Sequence, residues 1–282
     1  MMKKIEAAVR AAGKILLSAH AEKDEIHAKA GPANFVTDYD VRIQQYLINR
    51  LSTILPGCSF FGEEETEGNK RSIKGQVFFI DPIDGTTNFM FDYKTSCVSV
   101  GLAKDGEVIA GWVYNPYTDQ FWSAEKGKGA YLNNKSLKIS DGGLDSGICA
   151  FGAARYNEGD GIFDILPELF IRSLSLRNGG SAAIDLCRVA SGSNVAYVEM
   201  LLQPYDYAAA SIIITEAGGC IEQINGDPIT LDHGCSIVGG TKNAVTEVQE
   251  VIRNAQRNVR GAEYYRNLPH VTETSDDEAP LW

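Results

Sequence analysis

The segment Val77 to Phe89, VFFIDPIDGTTNF, constrains the fold more than any other stretch of this chain. Four consecutive apolar residues, Val77 to Ile80, read as a buried strand, and Pro82 behind Asp81 has no N–H to give a ladder, so the strand is expected to stop there. The chain then turns at the end of a sheet, carrying Asp81 and Asp84 towards one point. Two carboxylates converging without basic residues nearby repel unless a cation lies between them. A hard divalent ion, Mg²⁺ above all, suits such oxygens, and the Ile83 carbonyl between the two acids offers a further ligand. Gly85, Thr86 and Thr87 follow, and a helical turn starting here would aim unpaired N–H groups at a phosphate. A cation site beside an anion cradle is what metal-assisted phosphoryl hydrolysis requires. The competing reading is that the two aspartates only cap a turn or a helix.

Other acidic features bear on that choice. FFGEEETEG places Glu63, Glu64 and Glu65 directly after an apolar strand and a glycine, although a charge run is also how a solvated face looks. EMLLQPYDYAAAS places Asp206 at a helix start, where an N-cap role explains it equally well. Thr37 and Asp40, in VTDYD, have the spacing of a capping box for the helix that follows.

A net charge of −11 excludes a broad basic surface for nucleic acid or anionic lipid. The six cysteines form no C-x-x-C pair and mostly sit in apolar runs, so buried free thiols in a reducing cytosol are expected rather than zinc or disulfides. Near the start, Ile5, Val9, Ala12, Leu16 and Ala19 recur every three or four residues with charges between them, which is an amphipathic helix and not a signal peptide. No apolar run approaches the roughly 18 residues that span a bilayer. A cytoplasmic protein is expected.

A second helix is read from Ile43, Leu47, Leu51 and Ile54, stopped by Pro56 and Gly57. From Ser96 to Ser140, short alternating strands broken by KDGE, NPYTD, EKGKG and NNKS predict an antiparallel meander. Beyond it come a strand at ICAFG and a less regular stretch from Ala153 to Phe170, broken by Gly159, Gly161 and Pro167. SLSLRNGGSAAIDLCRVASGS reads as a strand, a glycine turn and a helix capped by Ser181, and NVAYVEM as a strand. A helix from Asp206 to Gly218 and Gly219, strands at CIEQI, ITL and CSIVGG, and a closing helix at AVTEVQEVIRNAQRNV complete the chain. The expected fold is α/β, with a boundary near Gly143: an N-terminal α+β half over residues 1–143 carrying the metal and phosphate motif, and a C-terminal α/β half with a mixed sheet over 144–260. Residues 261–282 form an acidic tail expected to be disordered.

Taken together these motifs resemble the inositol monophosphatase family, Mg²⁺-dependent phosphatases related to fructose bisphosphatases and adenosine bisphosphate phosphatases. Gly62, Glu63 and Glu64 match its glycine–glutamate motif, Asp81 through Thr87 match D-P-I-D-G-T-T, and Tyr205 to Gly219 match the C-terminal motif ending in T-E-A-G-G. The likeness covers roughly residues 1 to 260. It implies a layered αβαβα sandwich of the sugar-phosphatase type and a homodimer. It also implies two or three Mg²⁺ ions, the first held by Glu63, Asp81 and the Ile83 carbonyl. Asp81, Asp84 and Asp206 would hold the second, and a third, weaker ion would lean on Glu63 through waters. Glu63 and Thr86 would orient the attacking water, with Asp40 hydrogen-bonded to Thr86. The amides of Gly85 and Thr86 would bind phosphate, while Asp84, the Ala182 N–H and Glu199 would meet hydroxyls of the leaving alcohol. Inositol 1-phosphate or a related sugar phosphate is the implied substrate. Fructose 1,6-bisphosphate, NADP and adenosine 3',5'-bisphosphate remain alternatives, as does a non-catalytic binding role.

Two positions depart from the family pattern. Tyr205 stands where tryptophan is usual, and Asn34 where an aspartate is often found, which leaves the weaker ion and lithium sensitivity open. Lys29 matches a family lysine, while Arg155 and Arg172 are the candidate extra contacts to phosphate or sugar.

Overall fold

A computed structural model of the chain describes residues 1–19, 26–28, 35–64, 73–153 and 161–257. Lys29, Asn34, Arg155 and the acidic tail lie outside the described residues. The chain enters through α1 (Met2–Ser18), the short antiparallel pair β1 (Ile26–Ala28) and β2 (Phe35–Thr37), and α2 (Asp38–Ile54). α1 buries Ile5, Val9, Ala12 and Leu16, the stripe that its periodicity predicts. α2 opens on the expected capping box, in which the Thr37 N–H donates to Asp40 Oδ2 at 2.8 Å.

A seven-stranded sheet follows in chain order: β3 (Ser59–Gly62), β4 (Gln76–Asp84), β5 (Cys97–Lys104), β6 (Glu107–Asn115), β7 (Gln120–Glu125), β8 (Ala130–Leu132) and β9 (Lys135–Ser136). β3 runs parallel to β4, and the remaining strands form the antiparallel meander expected from the turn signals. Between β4 and β5 comes α3 (Thr86–Met90). The second sheet is mixed and has five strands, in the order β11 (Ser175–Arg177), β10 (Ile148–Phe151), β12 (Ala196–Leu202), β14 (Cys235–Gly240) and β13 (Cys220–Glu222).

Helices fill the spaces on and between the sheets. α1 and α2 pack on one face of the seven-stranded sheet; α5 (Ala182–Ala190) and α6 (Pro204–Glu216) lie between the two sheets; α4 (Ile162–Arg172) and α7 (Lys242–Arg257) cover the outer face of the second. This is the αβαβα sandwich. The central layer explains the composition of α6, whose residues from Tyr207 to Ile214 are all buried; a helix apolar all round is one covered on every side.

Three details correct the sequence reading. β4 does not stop at Asp81 but continues to Asp84, because Pro82 falls in a β-bulge where no ladder bond is required of it. The stretch from Ala153 to Phe170, read as less regular, contains the start of α4, a helix that keeps Pro167 inside it because Ile162, Ile165 and Leu169 are buried under the second sheet. ITL, Ile229 to Leu231, is not a strand, and the Tyr207 hydroxyl holds that segment by donating to the Thr230 carbonyl at 2.5 Å.

The seating of α6 is unusually close. Gly101 on β5 and Gly111 on β6 are direct cross-strand partners, and the Ala208–Ala209 backbone rests on them. A Cβ built on Gly111 would stand 2.3 Å from the Ala209 carbonyl oxygen. At the other end of the helix Glu216 accepts from the Gly127 and Gly129 N–H groups, each at 2.8 Å, fastening α6 to the β7–β8 turn. We expect Gly111→Ala to destabilise the fold by about 1–3 kcal/mol through overpacking, read as a lowered thermal midpoint; a variant as stable as wild type would contradict the close seating.

Candidate active site

β3, β4, α3, α5, β12 and α6 converge on one cavity of about 510 Å³. Its lining includes Glu63, Asp81, Ile83, Asp84, Gly85, Thr86, Ala182, Glu199 and Asp206, so of the ten residues given a metal, catalytic or substrate role all but one share a single space. The exception, Asp40, is fully buried, and one ligand atom of its carboxyl lies within 4.8 Å of one on Glu63 and one on Glu64.

The convergence of Asp81 and Asp84 has a local cause. In a regular strand residues three apart point to opposite faces. Here Asp81 pairs with Ser99 and Asp84 with Cys97, so three steps on β4 match two on β5. The extra residue shifts the phase of the alternation and brings both carboxylates into the cavity. Glu63 arrives from the neighbouring strand, because the β3 ladder continues past Gly62 with the Glu63 N–H donating to the Ile80 carbonyl at 3.1 Å. Gln44 of α2 clamps the next residue at both ends, donating to the Glu64 carbonyl at 2.8 Å and accepting from its N–H at 3.1 Å.

Asp206 comes from α6. It is not the N-cap but the third helical residue, and its Oδ2 accepts from the N–H of Gln203, which holds the cap position, at 2.7 Å. Asp206 therefore both completes the capping box and lines the cavity.

Asp84 is held by the start of α5. Its Oδ2 accepts from the Ser181 hydroxyl at 2.5 Å and the Ala183 N–H at 2.8 Å, and its Oδ1 from the Ala182 N–H at 3.2 Å. The Ala182 amide, expected to meet a substrate hydroxyl, is thus engaged by Asp84. Ser181 also caps α5 as expected, accepting from the Ile184 N–H at 3.4 Å. The Thr86 hydroxyl donates to the Ile83 carbonyl at 3.1 Å, while Asp40 Oδ2 is taken by Thr37 and its buried Oδ1 has no hydrogen-bond partner; the expected Asp40–Thr86 bond is not formed. Asn88 joins the motif to the glycine turn before α5, donating to the carbonyls of Thr95 and Gly179, each at 2.8 Å. Arg172 lies on α4, bonded to Glu168 at 2.7 Å and to Glu250 of α7 at 3.4 Å, and does not line the cavity.

Gln44, Asn88 and the positioning function of Ser181 escape sequence reasoning. Each acts across a long sequence separation on a backbone group or carboxylate whose position only the fold defines. Ser181 alone carried a signal, its N-cap pattern.

Among the described residues the electrostatics are one-sided. Burial raises the Asp81 carboxyl well above the usual range, and Glu63, Asp84, Asp206 and Asp40 push it further. Burial likewise lifts Asp84 to about 6, against the lowering effect of the Ser181 hydroxyl and the α5 amides, and lifts Asp40 to about 7 with Glu63 adding to it. Asp206 is raised well above its ordinary value by burial and then by Asp84. Asp81 Oδ1 is buried without a hydrogen-bond partner. Acidic oxygens that oppose one another, one of them orphaned, form a donor set that fits a hard divalent cation.

Comparison with known proteins agrees with this geometry. The model of the inositol monophosphatase family matches residues 1–258. The chain is 32% identical to the inositol-1-monophosphatase of Bacillus subtilis over 251 residues, covering 88% of this chain and 95% of that one. It is 34% identical to human inositol monophosphatase 1, covering 79% and 83%. Among solved structures, the extragenic suppressor protein suhB of Bartonella henselae superimposes with a TM-score of 0.82 at 28% identity, over 89% of this chain and 97% of the other. An inositol monophosphatase II of Staphylococcus aureus solved with inositol monophosphate gives 0.76 at 26% identity, over 93% and 96%. The chain belongs to the inositol monophosphatase family of phosphatases.

Proposed function

We propose that the protein is a Mg²⁺-dependent phosphatase that releases phosphate from inositol 1-phosphate or a closely related sugar phosphate. The observation that carries this reading is the gathering of Glu63, Asp81, Asp84 and Asp206 around one cavity, with Asp81 Oδ1 lacking any hydrogen-bond partner. Glu63, Asp81 and the Ile83 carbonyl would hold one ion, and Asp81, Asp84 and Asp206 a second, with Asp81 shared; a third, weaker ion would lean on Glu63. Bound Mg²⁺ would acidify a water and neutralise charge on the phosphoryl oxygens and the departing alkoxide.

The chain's own residues supply the rest. Glu63 accepts a proton from the attacking water. The Thr86 hydroxyl, its hydrogen committed to the Ile83 carbonyl, presents lone pairs that accept from the same water and fix its approach. Asp40 stands beside Glu63 and Glu64, its carboxyl raised to about 7 by burial and by Glu63. The Gly85 and Thr86 amides, at the start of α3 where the first N–H groups have no intrahelical acceptor, hold phosphoryl oxygens. Glu199, which lines the cavity, accepts from hydroxyls of the polyol. Uncatalysed phosphate monoester hydrolysis is so slow that the site must lower the barrier by on the order of 20 kcal/mol. We further place the enzyme in the cytoplasm, in keeping with six free cysteines, and read it as a homodimer, as the family resemblance implies. Among the described residues no helix is long and apolar enough to cross a membrane.

Phosphate release with Mg²⁺ across inositol 1-phosphate, fructose 1,6-bisphosphate, NADP and adenosine 3',5'-bisphosphate is expected to be fastest on the first, and Asp84→Asn to lose at least about a hundredfold in kcat while still folding. Turnover of none of the four, or near wild-type turnover by the variant, would contradict the reading.

The carboxylates also set a pH dependence. Without metal, folded Asp84 and Asp40 hold protons up to about 6 and about 7, whereas the unfolded chain loses them near 3.8. The native state therefore binds more protons in that window, and stability falls as pH rises through it. The thermal midpoint of EDTA-treated protein is expected to drop between pH 5 and pH 7.5, and Mg²⁺ to raise it more at pH 7.5 than at pH 5. An equal Mg²⁺ effect at both values would contradict the carboxylate site.

A further inference from the structure

We propose that Tyr197 is a positioning residue that sets specificity for the leaving alcohol by fixing the Glu199 carboxylate; this rests on the polyol-phosphate reading above. Tyr197 and Glu199 are two apart on β12, so strand alternation places both side chains on one face. The Tyr197 ring is buried in the layer formed by α5 and α6, and its hydroxyl donates to Glu199 Oε2. The pairing of β12 with β14 shifts register between Glu199 and Leu202, so the strand departs from regular pleating just where the acid enters the cavity.

The opposite side is closed by backbone. β10 runs parallel to β12, and the residue after it, Gly152, continues the pairing by donating its N–H to the Val198 carbonyl at 2.9 Å. A Cβ on Gly152 would lie 2.0 Å from Glu199 Oε2 and 2.5 Å from the Tyr197 hydroxyl. The phenol and the bare glycine together leave one place for Oε2. With that oxygen held, the orientation of the whole carboxylate, which lines the cavity, is set. An acid fixed in this way distinguishes an alcohol that carries neighbouring hydroxyls from one that does not, because a rigid acceptor rewards only a donor at the matching position. It does not touch the phosphoryl group.

The test compares inositol 1-phosphate with 4-nitrophenyl phosphate, whose leaving group has no further hydroxyls, in wild type and Tyr197→Phe at saturating Mg²⁺. The loss in kcat/KM for the polyol phosphate is expected to exceed that for the aryl phosphate by about tenfold, the effect of misplacing one hydrogen bond to a charged group, and to appear mainly in KM. Gly152→Ala, which crowds the same oxygen, is expected to shift the ratio in the same direction. If wild type cleaves both esters and Tyr197→Phe lowers both by the same factor, or neither, the role of Tyr197 is overturned while the substrate reading stands. If wild type cleaves only the aryl ester, the substrate reading fails and the role of Tyr197 fails with it.

Discussion

Everything in the site depends on one steric fact: α6 reaches the sheet because β5 and β6 offer it no side chains at Gly101 and Gly111. Asp206 sits two residues before Ala208, which rests on that glycine pair, so the depth to which the helix sinks sets how near its carboxylate comes to the acids of β4. A side chain under Ala209 would lift the helix start, and with it the Asp206 carboxylate. Glu216 pins the opposite end of the same helix, so α6 is a rod fastened at both ends between two sheets.

The bulge in β4 is the second device, and it works against electrostatics. It turns Asp81 and Asp84 to the same side, where burial raises both carboxyls and Asp84 pushes Asp81 further. The surrounding donors are distributed unequally. Asp84 receives a hydroxyl and two α5 amides, whereas Asp81 has an oxygen with no partner. This inequality separates an acid that the fold's own donors hold in place from one with an unpartnered oxygen, and it is what supports the proposal that Asp81 is the shared ligand.

Much of this was legible in the sequence, and the exceptions have physical reasons. Helices with a clean apolar stripe, such as α1 and α2, follow from periodicity because burial on one face is what forms them. The gathering of the acids was legible only from the combined motifs, since alone Asp81, Asp84 and Asp206 also fit a cap and Glu63 a solvated face. What periodicity could not show was α4, whose Pro167 reads as a break until the second sheet supplies enough burial to outweigh it. Nor could it show the bulge, which looks like a strand end because Pro82 satisfies either reading, or that the Ala182 amide serves Asp84 rather than a substrate. Contacts such as Gln44 to Glu64 and Ser181 to Asp84 join residues far apart in the chain, so local pattern carries no trace of the pairing.

The central claim is that Asp81 is shared by two cations. Calorimetric titration of Mg²⁺ into metal-free protein in the presence of inorganic phosphate tests it directly, comparing wild type with Asp81→Asn. The account predicts at least two sites in wild type and the weakening of both in the variant. Loss of one site with the other unchanged would contradict it.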